Sequence, residues 1–166
     1  LYLGLPYNSE QGVAAGEQIM AFIKRTGHQM SQELAQSRGA FSLFEQSVYR
    51  DGPPLRNATV TTIAPTGTLS IIAGVSSGVE PVFAYAYMRN VLDNTHLIET
   101  NSILEEKLRQ SGLFSAALME KIATQGGLAE IAELPEDLKR VFVSAHDVAP
   151  LWHVRMQAAF QSHTDN

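Results

Sequence analysis

The 166 residues suffice for one domain with a real core, and 45% apolar against 17% charged residues excludes disorder of the whole chain. A formal charge of -5 leaves no basic footprint for nucleic acid and no polybasic patch for a membrane surface. With no cysteine, disulfides and thiol chemistry within these residues are excluded, and apolar runs too short to span a bilayer make a cytoplasmic protein the default expectation.

Residues 9–38 carry Val13, Gly16, Met20, Ile23, Gly27, Met30 and Leu34 at alternating three-four spacing, which predicts one long helix. Asn8 or Ser9 can cap its start and Gly39 its end. Gly16 and Gly27 cost helix propensity, so they are expected where a neighbouring element comes close. Residues 40–58, with the turn signal DGPP, read as an irregular connection. The β-branched run 59–63 predicts a short strand. A short helix follows at 69–74, broken near Gly74 to Gly78. Residues 82–88 (VFAYAYM) alternate as a strand, with Tyr85 and Tyr87 on one face. An amphipathic helix is predicted over 94–110, its apolar side carrying Leu97, Ile98, Ile103, Leu104 and Leu108. One or two helices over 115–133 are interrupted at Gly126 and Gly127, and Pro135 opens a further turn. A last helix over 148–163 takes Asp147 as its cap and sets Trp152, Met156, Ala159 and Phe160 on one face. The pattern is α/β, with few strands for so many helices. Sheets of two or three strands rarely stand alone, so further strands are expected elsewhere. The opening LYLGLPYNSE and the closing QSHTDN both read as cut ends, making 1–166 a single fragment of a larger domain.

The most specific stretch is APTGTLS, residues 64–70. A strand turning into a helix presents free backbone N–H groups, which together with the helix dipole favour an anion. Pro65 fixes its own backbone, Gly67 is expected to take a conformation closed to other residues, and Thr66, Thr68 and Ser70 add hydroxyl donors. That is a phosphate cradle without a cation, a handle and not an activator, because the P-loop lysine is missing. The competing reading is a plain turn followed by a helix cap. His28, His96, His146, His153 and His163 lack metal-ligand spacing. Glu80, ahead of Pro81, is read as structural, with contact to a ribose or a helix end as the alternative.

The run RNATVTTIAPTGTLSIIAGVSSGVEPVFAYAYMRNV (56–91) resembles the large catalytic chain of ribonucleotide reductase, most closely the adenosylcobalamin-dependent class II. Class I enzymes carry a Pro-Ser-x-x-Ser type of loop, where this sequence has Pro65-Thr66-Gly67-Thr68 followed by Gly78-Val79-Glu80-Pro81. LGLPYNSEQG, RGAFSLFEQSVY and SAHDVAPLWHVRMQAAFQSHTDN resemble the flanking segments, and the likeness is weakest over 110–135.

The resemblance implies a partial ribonucleotide-reductase α/β barrel, from the second half of a ten-stranded barrel. It implies that the intact enzyme reduces ribonucleotides, expected as diphosphates, to deoxyribonucleotides by thiyl-radical chemistry in the service of DNA synthesis. The part played here would be the substrate phosphate-binding loop: Thr66, Gly67, Thr68, Leu69 through its backbone, and Ser70. The radical and reductant cysteines are absent, so no catalytic residue is expected in this chain and it is expected to be inactive alone. Adenosylcobalamin is the implied cofactor of the intact enzyme, with none expected on the fragment. The implied partners are the ribonucleotide and the rest of the reductase chain, with a homodimer as a candidate assembly. The alternatives are a class I large-subunit fragment and a non-catalytic module that binds nucleotide phosphate.

Overall fold

The computed structural model describes residues 1–91 and 95–166. In chain order the described elements are α1 (Glu10–Arg38), a 3-10 turn (Phe44–Gln46), α2 (Gly67–Ala73), β1 (Ala86–Val91), β2 (Thr95–Thr100), α3 (Ser102–Gln110), α4 (Ala116–Gln125), α5 (Glu136–Val141) and α6 (Pro150–Gln161).

The long helix forms as its periodicity predicts. Ser9 caps it, its hydroxyl oxygen accepting from the Gly12 N–H at 3.0 Å, and Gly39 ends it at φ 76°. Its buried face carries Gly12, Gly16, Met20, Ser31 and Ala35. Around Gly16 that face packs closely on α6. A Cβ on Gly16 would lie 2.6 Å from the Phe160 ring and 2.9 Å from Met156 Sδ. A Cβ on Gly27 would lie 3.2 Å from Val60 Cγ2. Both glycines therefore sit where the sequence called for close approach.

A second apolar cluster joins the other helices to the hairpin. Leu104 and Leu108 of α3, Met119 and Ile122 of α4, then Leu128, Ile131, Leu134 and Phe142 surround Tyr85 and Ala86. The buried Tyr85 hydroxyl donates to the Val143 carbonyl at 3.1 Å, so the polar end of the ring is satisfied. Asn101 caps α3 by accepting from the N–H groups of Ile103 and Leu104, Ser115 caps α4, and Gly126 at φ 78° ends it.

Four local expectations are corrected. Residues 59–63 form no strand, because no described segment pairs with them; their amides go elsewhere, as shown below. The strand predicted at 82–88 begins only at Ala86, and Tyr87 is half exposed while Tyr85 is buried. The helix predicted over 94–110 is two elements. Residues 95–100 pair antiparallel with β1, Ala86 opposite Thr100 and Met88 opposite Ile98, and the helix starts at Ser102 behind the Asn101 cap. Leu97 and Ile98 fit a helical stripe, but β-branched Thr95, Ile98 and Thr100 also suit a strand, and cross-strand contacts from Tyr87 and Arg89 to Glu99 favour it. Residue 94 and the His96 side chain lie outside what is described. Finally, α6 starts at Pro150 without an Asp147 cap. Asp147 instead accepts from the Ser144 N–H at 3.0 Å and from its hydroxyl at 2.7 Å. Among the described residues the chain is helix-rich, with one antiparallel pair of strands.

Candidate functional site

The APTGTLS segment is the turn into α2, and its geometry departs from the expected one at a single residue. Thr66, not Gly67, takes the left-handed conformation, at φ 47°. Gly67 is the first helical residue, its φ is not positive, and a Cβ built there meets nothing within 4 Å. The glycine therefore serves approach to the loop and not an unusual backbone. A threonine at positive φ is uncommon, and one contact explains how it is held: Thr66 Oγ1 accepts from the Gly78 N–H at 2.8 Å. Gly78 is itself at φ 56°, where a Cβ would lie 3.1 Å from the Ala64 carbonyl oxygen. Tyr7 then fixes the next residue, its hydroxyl donating to the Val79 carbonyl at 2.9 Å. Burial and the nearby charge of Glu80 push the Tyr7 phenol up to about 12, so it remains a donor throughout the neutral range.

The donors available at this turn can be counted. The first helical hydrogen bond runs from the Ser70 N–H to the Thr66 carbonyl at 2.8 Å. The N–H groups of Gly67, Thr68 and Leu69 therefore meet no acceptor among the described residues. The Thr66 hydroxyl accepts from Gly78 and keeps its proton to donate. Thr68 is exposed and its hydroxyl is unpaired among the described residues. Ser70 contributes least, because its hydroxyl already donates to the Gly67 carbonyl at 2.7 Å. Leu69, Ile71, Ile72 and Val75 leave an exposed apolar surface beside the turn.

An apolar cavity of about 370 Å³ lies between the N-terminal arm, α1, α6 and residues 74–82. Leu5, Tyr7, Ile19, Val75, Val79 and Glu80 are among its walls, but the loop residues 66–70 are not. Cavity and loop are separate features. Among the described residues no group of three His, Cys, Asp or Glu is placed to hold a metal ion. The described imidazoles are engaged with protein. His28 lies on Asp165, His146 against the Phe83 ring, His153 against Tyr7, and His163 beside Glu17.

Sequence reasoning missed the contacts of Tyr7 with Val79, of Gly78 with Thr66 and of Asp165 with Val60 and Thr61. Tyr7 lies 72 residues from Val79, Asp165 105 from Val60 and Gly78 twelve from Thr66, so no helical or strand spacing signals them.

The description "Ribonucleotide reductase, barrel domain" matches residues 1–54 and 53–166. The vitamin B12-dependent ribonucleoside-diphosphate reductase of Thermoplasma acidophilum is 46% identical over 165 residues, covering 99% of this chain and 21% of the relative. The enzyme of the same description from Mycobacterium tuberculosis (strain H37Rv) is 41% identical over 163 residues, 98% of this chain and 23% of the relative. Among solved structures, the class Id ribonucleotide reductase alpha subunit of Actinobacillus ureae superposes with a TM-score of 0.79 at 25% identity, over 99% of this chain and 29% of that one. The chain thus spans about a fifth of the length of the curated relatives it matches. With a family match over its full length, the chain belongs to the ribonucleotide reductase barrel-domain family.

Proposed function

We propose that this chain is the phosphate-anchoring part of an adenosylcobalamin-dependent ribonucleoside-diphosphate reductase. The observation that carries the reading is the turn into α2: three backbone N–H groups, at Gly67, Thr68 and Leu69, without acceptors among the described residues, beside two hydroxyls free to donate. It occurs in a chain 46% identical to an enzyme described as vitamin B12-dependent. In this reading the amides and the Thr66 and Thr68 hydroxyls bind the diphosphate, and Ser70 holds the helix start in shape. No cation is present in the loop, so it binds the phosphate as a handle. Binding energy remote from the reacting sugar then serves to orient it, which is how such contacts contribute to rate.

The cofactor supplies radical initiation when bound. Its contacts, and the cysteines such chemistry needs, are assigned to the rest of the parent chain. Substrate and the remainder of that chain are the partners proposed, and a cytoplasmic location follows from the substrate. The greater identity to B12-dependent relatives (41–46%) than to reductase alpha subunits of Chlamydia (30–32%) favours class II over class I. Cobalamin dependence of the intact enzyme separates the two.

The loop is tested in the intact enzyme with Thr66→Val combined with Thr68→Val. Hydrogen bonds to charged groups contribute about 1.5–3 kcal/mol each. The expected outcome is a KM for the ribonucleoside diphosphate raised at least about tenfold. Unchanged KM and kcat would remove the loop from phosphate binding.

A further inference from the structure

Among the described residues, the segment that leads into the loop has no strand partner. Two adjacent amides of residues 59–63, those of Val60 and Thr61, are taken by one carboxylate. Asp165 Oδ2 accepts from the Val60 N–H at 2.8 Å and from the Thr61 N–H at 3.2 Å. Successive residues of a flat strand face opposite ways, so two adjacent amides on one oxygen require a local kink. In return, the Asp165 N–H donates to Thr61 Oγ1 at 3.1 Å. The other carboxylate oxygen, Oδ1, accepts from His28 Nε2 at 2.9 Å, with Lys24 Nζ at 3.7 Å, both on α1.

The carboxylate is 2% exposed, yet four donors surround it. Burial pulls its pKa upward, but the Val60 and Thr61 amides and the His28 imidazole outweigh that and hold it below the usual carboxylate range. Its placement is also fixed. Thr164, just before it, is buried and its hydroxyl donates to the Phe160 carbonyl at 2.8 Å, locking the chain after α6. Val60 packs against Gly27 of α1, while the Arg56 and Asn57 amides donate to Ser31. Three separate parts of the chain, α1, the end of α6 and residues 60–61, therefore meet on one carboxylate. Thr66 lies five residues beyond Thr61.

We propose that Asp165 is a positioning residue for the substrate loop: by clamping the Val60 and Thr61 amides between α1 and the end of α6, it sets the kink that aims residues 62–66 and hence the donors at 66–69. The proposal rests on the phosphate reading of the loop. The clamp works upstream, whereas the bond from the Gly78 N–H to Thr66 Oγ1 works downstream, so the turn is gripped on both sides.

The test uses the intact reductase with Asp165→Asn, with Thr61→Val as a milder second variant that breaks only the return bond, and with the Thr66→Val/Thr68→Val pair as reference. Folding is checked by thermal melting, and kinetics are read well below the melting transition. Asp165→Asn is expected to lower kcat/KM for the ribonucleoside diphosphate about tenfold, mostly through KM, and Thr61→Val about threefold. Combined with the threonine pair, either change should add little, because all act through one loop. Should Asp165→Asn fail to fold, Thr61→Val decides the matter by the same criteria. A lowered melting temperature with unchanged KM, or full additivity with the threonine pair, would reduce Asp165 to a structural staple. If instead the threonine pair itself leaves KM unmoved, the phosphate reading fails, and the proposal falls with it.

Discussion

Thr66 and Gly67 divide the work of the turn between them in a way that can be separated by experiment. Thr66 carries the backbone strain, at φ 47°, and its hydroxyl is held by Gly78. Gly67 carries none, and open space surrounds its Cα. Gly67→Ala is therefore expected to leave the intact enzyme as stable or up to about 1 kcal/mol more stable, through helix propensity. The added methyl would stand at the mouth of the proposed cradle, so KM for the diphosphate should rise while the melting temperature does not fall. Gly78→Ala should do the opposite to stability. At φ 56° with the Ala64 oxygen 3.1 Å away, it should cost about 1–2 kcal/mol, measured as a lowered melting temperature. Asp165 adds a pH dependence with a definite sign. Its folded pKa is depressed, so its contribution is fully present above the unfolded value of about 3.9 and is lost as pH falls through the folded value. Hydrogen exchange of the peptide spanning Val60 and Thr61 should keep its protection through the usual carboxylate range and lose it only at more acid pH. In Asp165→Asn that acid-induced loss should be absent.

Among the elements, α1 and α6 show how small residues set a packing distance. The α1 stripe is weakly apolar, yet glycine at position 16 lets the Phe160 ring and the Met156 sulfur approach the helix backbone. Gly16→Val is expected to destabilise by about 1–3 kcal/mol, since the ring and the sulfur must both move. A fall in the thermal midpoint of the intact enzyme, without a change in KM at low temperature, is the expected reading. The Arg155 guanidinium, paired with Glu10 across the same two helices, is exposed enough that its loss should matter far less. The hairpin and α3 illustrate ambiguity of period. Leu97, Ile98, Ile103, Leu104 and Leu108 satisfy one helical stripe on paper, but the Asn101 side chain caps Ser102–Gln110 and ends the strand before it.

For the whole molecule, the outstanding feature is how much apolar surface is uncovered. Phe22 on α1, Ile71 and Ile72 on α2, Phe83, and Leu151 and Val154 on α6 are all exposed. Surface of this kind spread over several elements marks faces that pack against something else. The chain spans about a fifth of the length of its curated relatives, and in the function proposed above the remainder of the barrel would cover these faces. The 166 residues alone are expected to self-associate with rising concentration in sedimentation experiments. With no cysteine present, they should give no turnover of CDP with adenosylcobalamin and a dithiol, measured as deoxycytidine diphosphate formed. Monodisperse behaviour across concentrations would show that the exposed faces need no partner.

What depends on neighbours along the chain was legible before the fold was known. Periodicity placed α1, and local chemistry placed its Ser9 cap and its closing Gly39. The order Pro65-Thr66-Gly67-Thr68 marked the turn into α2 and brought the family into view. Tertiary structure alone decided what depends on residues far apart. Residues 59–63 look like a strand because β-branched side chains favour extended backbone, but a strand needs a partner, and none pairs with them among the described residues; the Asp165 carboxylate takes the Val60 and Thr61 amides instead. The positive φ fell to Thr66 because Gly78, twelve residues on, supplied the N–H that steadies it. Local propensity is a property of a few consecutive residues, whereas satisfying buried amides and strained turns is settled by whichever donor or acceptor the fold brings near.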